Sequence, residues 1–150
     1  MVKVAVTGSD GYIGKQFVNY LEKRKCQVDC FDRVQGRRIS DLLRTNINVY
    51  DRIYHLAALS RVEACERCKK DAFFQNVYLT AKLAIWAGRK LVFFDTYLDN
   101  KTVYGLTKQM ARKAVQHFGG QSIRICNIYG YDGPGVVDHF MREKQLIIHG

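Results

Sequence analysis

The stretch Thr7-Gly8-Ser9-Asp10-Gly11-Tyr12-Ile13-Gly14 constrains the fold of this chain more than any other. It follows Val2-Lys3-Val4-Ala5-Val6, an apolar β-branched run of the length of one buried strand. After it, Phe17, Val18 and Leu21 recur at helical spacing as far as Lys25. Strand, glycine turn and helix in that order give the G-x-x-G-x-x-G spacing a physical meaning. Gly8 permits the sharp turn, Gly11 lets the backbone approach a pyrophosphate, and Gly14 lets the helix lie close to the strand. The helix N-terminus then offers free N–H groups and the positive end of its dipole to phosphates. The pattern implies a dinucleotide site.

Strand and helix signals alternate along the rest of the chain, which predicts an α/β fold: a Rossmann-type doubly wound parallel sheet in a three-layer α/β/α arrangement. Gln27-Val28-Asp29-Cys30-Phe31 reads as the second strand and ends at Asp32, about 20 residues beyond the glycine loop, where such folds hold the adenosine ribose with a carboxylate. Arg33, Arg37 and Arg38 follow and offer an alternative grip on a 2′-phosphate. An Asp in the ribose position repels that phosphate, so NAD is expected in preference to NADP. Ile39 to Asn46 reads as a short strand edge and a turn of helix, with Asp41-Leu42 near the adenine. Arg52-Ile53-Tyr54-His55-Leu56-Ala57-Ala58 is an apolar strand running into small residues, which leave room for a ligand; His55 reads as a packed strand histidine rather than a catalyst. A helical stretch covers 61–87 with a break near Lys69–Asp71, and carries Asn76. Leu91-Val92-Phe93-Phe94 is the next strand and delivers Asp95-Thr96 to the sheet's carboxyl edge. Residues 102–118 read as a helix stopped by Gly119-Gly120. Tyr104 and Lys108 are four apart and so share one helical face. A cation beside a phenol lowers its pKa and makes it an acid–base group. Gln121 to Cys126 is a further strand, and a helix near 134–143 and a strand at 146–148 complete the reading.

Length and composition bound the rest. At 150 residues the chain is expected to form one domain, 1–150. With 47% hydrophobic and 25% charged residues the composition is that of a soluble globular protein. No apolar run reaches the roughly 18–20 residues of a membrane span, and residues 1–6 read as a strand rather than a signal, so a cytoplasmic location is expected. The net charge of +10 favours anionic partners. Its basic residues are dispersed, in short groups such as Lys23-Arg24-Lys25, and no nucleic-acid motif accompanies them. Five cysteines with one Cys65-x-x-Cys68 pair and no second such pair read as thiols rather than a disulfide framework or a metal site.

Several separate stretches agree on a family. The sequence resembles the extended short-chain dehydrogenases/reductases of the NAD-dependent epimerase/dehydratase group, which act on nucleotide sugars. TGSDGYIG at 7–14 is similar to the family's T-G-x-x-G-x-x-G, HLAA at 55–58 to its H-x-A-A, and Asn76-Val77 with Thr80 to its asparagine segment. YGLTK at 104–108 resembles its Y-x-x-x-K, and IRICNIYG at 123–130 its L-R-x-x-N-x-Y-G.

The resemblance implies a minimal NAD(P)-dependent oxidoreductase or epimerase, with Tyr104 as acid–base. It implies that Lys108 holds the nicotinamide ribose and that Thr96 bonds the same sugar oxygen as Tyr104. Cofactor contacts would come from Gly8, Gly11, Tyr12, Ile13, Gly14, Asp32, Arg33, Asp41, Leu42, Leu56, Ala57, Ala58, Asn76, Tyr104 and Lys108, and Asn127 would hold the substrate's diphosphate. It also implies a homodimer through the 61–87 and 102–118 helices. Three departures stand out. Only residues 97–103 separate Thr96 from Tyr104, where relatives carry a longer connection. Tyr97 and Leu98 replace the Asp-Glu pair of the family's 4,6-dehydratases, which leaves a 4-keto reductase or an epimerase. No separate substrate domain is expected, so the competing readings are a non-catalytic dinucleotide-binding module and a fragment whose substrate site comes from a partner chain.

Overall fold

The computed structural model describes residues 1–98, 100–126 and 128. Among these residues five strands form one parallel sheet: β1 (Lys3–Thr7), β2 (Gln27–Phe31), β3 (Arg52–His55), β4 (Leu91–Thr96) and β5 (Gln121–Ile125), in the order β2-β1-β3-β4-β5. The chain steps from β1 outward to β2, then crosses back to β3 on β1's other side. The strand order therefore reverses beside β1, which opens a crevice at the carboxyl edge there. Register brings Thr7 opposite both Phe31 and His55, so the segments that follow β1, β2 and β3 leave the sheet together.

Alternation along the strands sends side chains to two cores. Val4 and Val6 face α1 (Tyr12–Lys23), where they meet Leu21, Phe17 and Val18. Ala5, Ile53, Leu91 and Phe93 face the opposite layer, made by α5 (Leu79–Ala87) and α6 (Val103–His117) through Leu83, Ala84, Ala111 and Val115. Helices on both faces of a parallel sheet make the three-layer α/β fold that the sequence implies.

Between β2 and β3 the structure departs from expectation. Ile39 to Asn46 contains no strand; it forms a single helical turn, α2 (Ile39–Leu42), followed by a 3₁₀ turn at Ile47–Val49. Ile39, Leu42, Leu43 and Ile47 recur at helical spacing and pack into the α5–α6 core, with Leu42 fully buried. That burial overrides the extended reading.

The helical stretch after β3 is divided, as its sequence suggests. It runs through α3 (Val62–Arg67), a break at Cys68, α4 (Lys69–Ala72), a π-helical turn at Phe73–Tyr78, and α5. Helix α6 starts at an N-cap in which Thr102 Oγ1 accepts the Gly105 N–H at 3.0 Å, and it ends before Gly119, whose φ is +82°. Glu66 Oε1 also accepts the Val103 N–H at 2.7 Å, tying α3 to the start of α6. The sequence readings at Asn127, 134–143 and 146–148 lie outside the described residues. Among those described, no helix is long and apolar enough to cross a membrane.

Candidate active site

The glycine loop occupies the crevice beside β1. Gly8 has φ +73°, and its N–H donates to the Phe31 carbonyl at 2.9 Å. A Cβ at Gly8 would lie 2.6 Å from the Ala57 nitrogen, and one at Gly14 would lie 2.0 Å from the Gly8 carbonyl oxygen. The loop is closed to any side chain at these two positions. Helix α1 starts at Gly11 with no side-chain cap and no acidic residue in its first turn. Its first N–H groups, at Tyr12 and Ile13, thus have no side-chain acceptor. Asp10 Oδ2, in the same loop, is buried without a hydrogen-bond partner. Uncapped helix N–H groups and a backbone cleared of Cβ atoms make a cradle that fits a diphosphate.

Asp32 stands at the rim of this cradle. Its Oδ2 accepts the Asp10 N–H and its Oδ1 the Val34 N–H, both at 3.0 Å. Each oxygen keeps a lone pair for a ribose hydroxyl. Arg33 and Arg38 are exposed, while the Arg37 guanidinium lies over the Phe31 ring at 4.4 Å. Asp41 accepts the Arg38 N–H at 2.7 Å and so caps α2. Leu42, read from sequence as an adenine neighbour, sends its side chain into the core, which leaves only its backbone for such a contact.

At the end of β3, His55 is fully buried. Its Nδ1 lies 2.6 Å from Thr7 Oγ1 and its Nε2 2.8 Å from Thr80 Oγ1. Burial, and secondarily the Lys108 charge, push its pKa down to about 3, so it is a neutral packed histidine, as the sequence suggests. Leu56, Ala57 and Ala58 follow, partly buried, with the Leu56 N–H on the Thr7 carbonyl at 3.0 Å. Asn76, on the π turn, is a clamp. Its Oδ1 accepts the Leu59 N–H at 2.7 Å, and its Nδ2 donates to the Leu59 carbonyl and to Thr107 Oγ1, each at 3.1 Å. It joins the loop after β3 to α6.

At β4 and α6 the side chains are turned inward. Thr96 Oγ1 accepts the Leu98 N–H at 3.2 Å. The Lys108 ammonium donates to the Phe94 carbonyl and lies 4.1 Å from the centre of the Phe93 ring. Burial lowers its pKa to about 8 against an opposing pull from Asp95. The expected depression of the Tyr104 pKa is not what this geometry gives: burial, with Cys65 and Asp95 adding, raises it to about 12. Sharing a helical face does not bring the ammonium to the phenol when the ammonium has a carbonyl and a ring to bury against. Asp95, which sequence reading left without a role, is 1% exposed, with its Oδ2 2.7 Å from an Arg112 nitrogen and 3.5 Å from Arg124 Nε. Cys65 is buried and donates to the Leu59 carbonyl at 3.2 Å, Cys68 is exposed, and all five cysteines are free.

Comparison with known proteins adds the following. The profile of the NAD dependent epimerase/dehydratase family matches residues 4–97. No curated protein sequence matches. Among solved structures, dTDP-4-dehydrorhamnose reductase from Bacillus anthracis, in complex with NADP, is 20% identical with TM-score 0.79, over 95% of this chain and 60% of that one. MoeE5 in complex with UDP-glucose and NAD is 21% identical with TM-score 0.64, over 83% and 52%. The UDP-Glc/GlcNAc 4-epimerase of Campylobacter jejuni is 16% identical with TM-score 0.66, over 83% and 53%. At these identities the likeness is one of fold, and the chain spans between half and two thirds of each structure's length.

Proposed function

We propose, since the chain belongs to the NAD dependent epimerase/dehydratase family, that it binds a nicotinamide dinucleotide and carries out a redox step on a nucleotide sugar. The observation that carries this reading is the glycine cradle closed by Gly8 and Gly14 with the Asp32 carboxylate at its rim. Gly11, Tyr12 and Ile13 would hold the pyrophosphate and Asp32 the adenosine ribose, with Asp41 and the Leu42 backbone toward the adenine. The carboxylate at the ribose position favours NAD over NADP, although Arg33, Arg37 and Arg38 lie close by.

A bound nicotinamide would supply or accept hydride at its C4. The chain's own part is to place the sugar and move a proton. With its pKa raised to about 12, Tyr104 is protonated at neutral pH and suited to donate a proton to a carbonyl oxygen. That supports a keto-sugar reductase ahead of an epimerase, which must also withdraw a proton from a hydroxyl. Thr96 would hold the same oxygen. Lys108 would steady the phenolate left behind once its ammonium exchanges the Phe94 carbonyl for the nicotinamide ribose. A second reading rests on that same bond: with Lys108 held by Phe94, the chain would bind the cofactor without turnover.

Calorimetric titration with NADH and NADPH tests the cofactor reading, with micromolar binding and a preference for NADH expected. Replacing Tyr104 by Phe should then abolish turnover of a 4-keto nucleotide sugar while NADH still binds. Undiminished turnover in that variant would remove Tyr104 from the mechanism. We also propose a homodimer through α5 and α6, supported by the exposed side chains of Phe74, Tyr78, Ile85 and Met110 on these helices and the adjoining π turn. Light scattering should report twice the chain's mass.

A further inference from the structure

Between β4, α6 and β5 lies a cavity of about 220 Å³ that the cradle does not include. Thr96 and Gly105 line it on the side of the proposed chemistry; Asp95, Gln109, Arg112 and Arg124 form much of the remainder. Gly105, Gln109 and Arg112 recur along one face of α6, so the helix presents a polar stripe to the sheet edge.

Asp95 is the unusual member. A carboxylate with 1% exposure is tolerable only when paired, and Arg112 and Arg124 supply the pairing. Both guanidinium contacts go to Oδ2. Oδ1 is equally buried and has no hydrogen-bond partner. With Oδ2 paired to the two guanidinium groups, Oδ1 is left as a hydrogen-bond acceptor. What completes it must therefore bring an O–H or N–H donor. An anionic group would instead meet the carboxylate's own charge.

We propose that this cavity is a hydroxyl-binding subsite in which Asp95 Oδ1 accepts from a neutral sugar ring, with Gln109 available to the neighbouring hydroxyl. The proposal rests on the nucleotide-sugar reading above and specifies which part of such a substrate the cavity takes. The cavity is smaller than the roughly 300–1,000 Å³ of sites that hold whole drug-sized ligands, and suits a single ring. Thr96 is common to the cavity and to the proposed reaction centre, and Gly105 is the residue after Tyr104. A ring whose carbonyl oxygen meets Tyr104 and Thr96 would extend its adjacent hydroxyls toward Asp95.

The test holds NADH at saturation and titrates UDP-glucose and dTDP-glucose, each against its own nucleoside diphosphate. The subsite requires the sugar to add affinity, about tenfold for one charge-assisted hydrogen bond in a shielded site. Asp95→Asn should erase most of that increment and leave nucleoside diphosphate and NADH affinities unchanged. Because Asp95 also holds two arginines, the variant could fail to fold. The wild-type chain then decides: ¹H–¹⁵N signals of Arg112 Nε, Arg124 Nε and the Gln109 side-chain amide should shift with the sugar nucleotide and not with the diphosphate alone. Equal affinity for sugar nucleotide and diphosphate, or unmoved side-chain signals, overturns the subsite and leaves the function standing. NADH binding with no affinity for any of the four nucleotides overturns both.

Discussion

The carboxyl edge of the sheet is built in opposite ways at its two ends. At the β1–β2 end, main chain does the work: a loop cleared of Cβ atoms at Gly8 and Gly14, uncapped N–H groups on α1, and an Asp32 carboxylate pinned by two backbone donors. At the β4–α6 end the side chains proposed to act are spoken for. Lys108 is bonded to Phe94, Thr96 Oγ1 to the Leu98 N–H, and Tyr104 is largely buried beside Cys65 and Asp95. The family match covers residues 4–97, which takes in the whole first end and β4 of the second but not Tyr104 or Lys108. Backbone geometry imposed by sterics leaves one solution, so the first end is preformed. Side-chain geometry depends on what else is available to bury or bond, so the second can take more than one arrangement.

The first end should be the more brittle. Gly14→Ala places a methyl 2.0 Å from the Gly8 oxygen, and we expect a loss on the order of 4 kcal/mol or more. Denaturant unfolding measures it; a near-normal midpoint would mean that the loop can open, and the contrast would fail.

A smaller effect belongs to His55, which sits between the two ends with a threonine on either side. Its folded pKa of about 3 lies below the ordinary 6.5, so the unfolded chain binds the extra proton in that interval. Stability is thus full above pH 6.5 and lost as pH falls, by about 1.4 kcal/mol per pH unit. The slope should be visible between pH 6.5 and 4.5, above the carboxylate range, and His55→Gln should flatten it. A wild-type slope near zero would show that the imidazole finds water.

The smallest effect is the sharpest test of the second end. A buried ammonium with a pKa near 8 costs stability at pH 7, so Lys108→Met should stabilise the fold by roughly 1–2 kcal/mol even as it removes function. The loss of a partner at the Phe94 carbonyl offsets part of the gain. From pH 8 to 10.5 the native wild type sheds that proton before the unfolded chain does, so wild-type stability rises and the variant's advantage shrinks. Above pH 10 the raised pKa values of Tyr104 and Tyr50, both about 12, reverse the trend. A destabilised variant at pH 7 would make Lys108 a structural residue, and the two ends would no longer differ in kind.

Legibility in the sequence follows the same line. The turn at Gly8, the close approach at Gly14 and the position of Asp32 beside the loop are legible because chain geometry dictates them. Tyr104 and Lys108 share one helix, as their spacing implies, yet spacing gives a face and not a rotamer, so the phenol's pKa shifts opposite to the sequence expectation. Leu42 could be assigned to a short element near β2, but not to the core, because its partners Leu83 and Ala84 lie on α5. Asp95 carried no local signal at all. Its burial is decided by Arg112, 17 positions away, and by Arg124 on the next strand.

The π-helical turn at Phe73–Tyr78 acts like a one-letter insertion in a text read three or four letters at a time. Each α-helical residue turns about 100°, so one extra residue puts everything after the turn out of phase with what came before. Upstream, Cys65 and Ala72 point inward; downstream, Thr80, Leu83, Ala84 and Ala87 do so. At the seam Asn76 is carried inside, while Phe73, Phe74 and Tyr78 are left at the surface. Removing a single residue from the seam would restore an uninterrupted spiral and rotate the Asn76 clamp off Leu59 and Thr107. The loop after β3 and α6 would then lose their common fastening, although every residue that makes it would still be present.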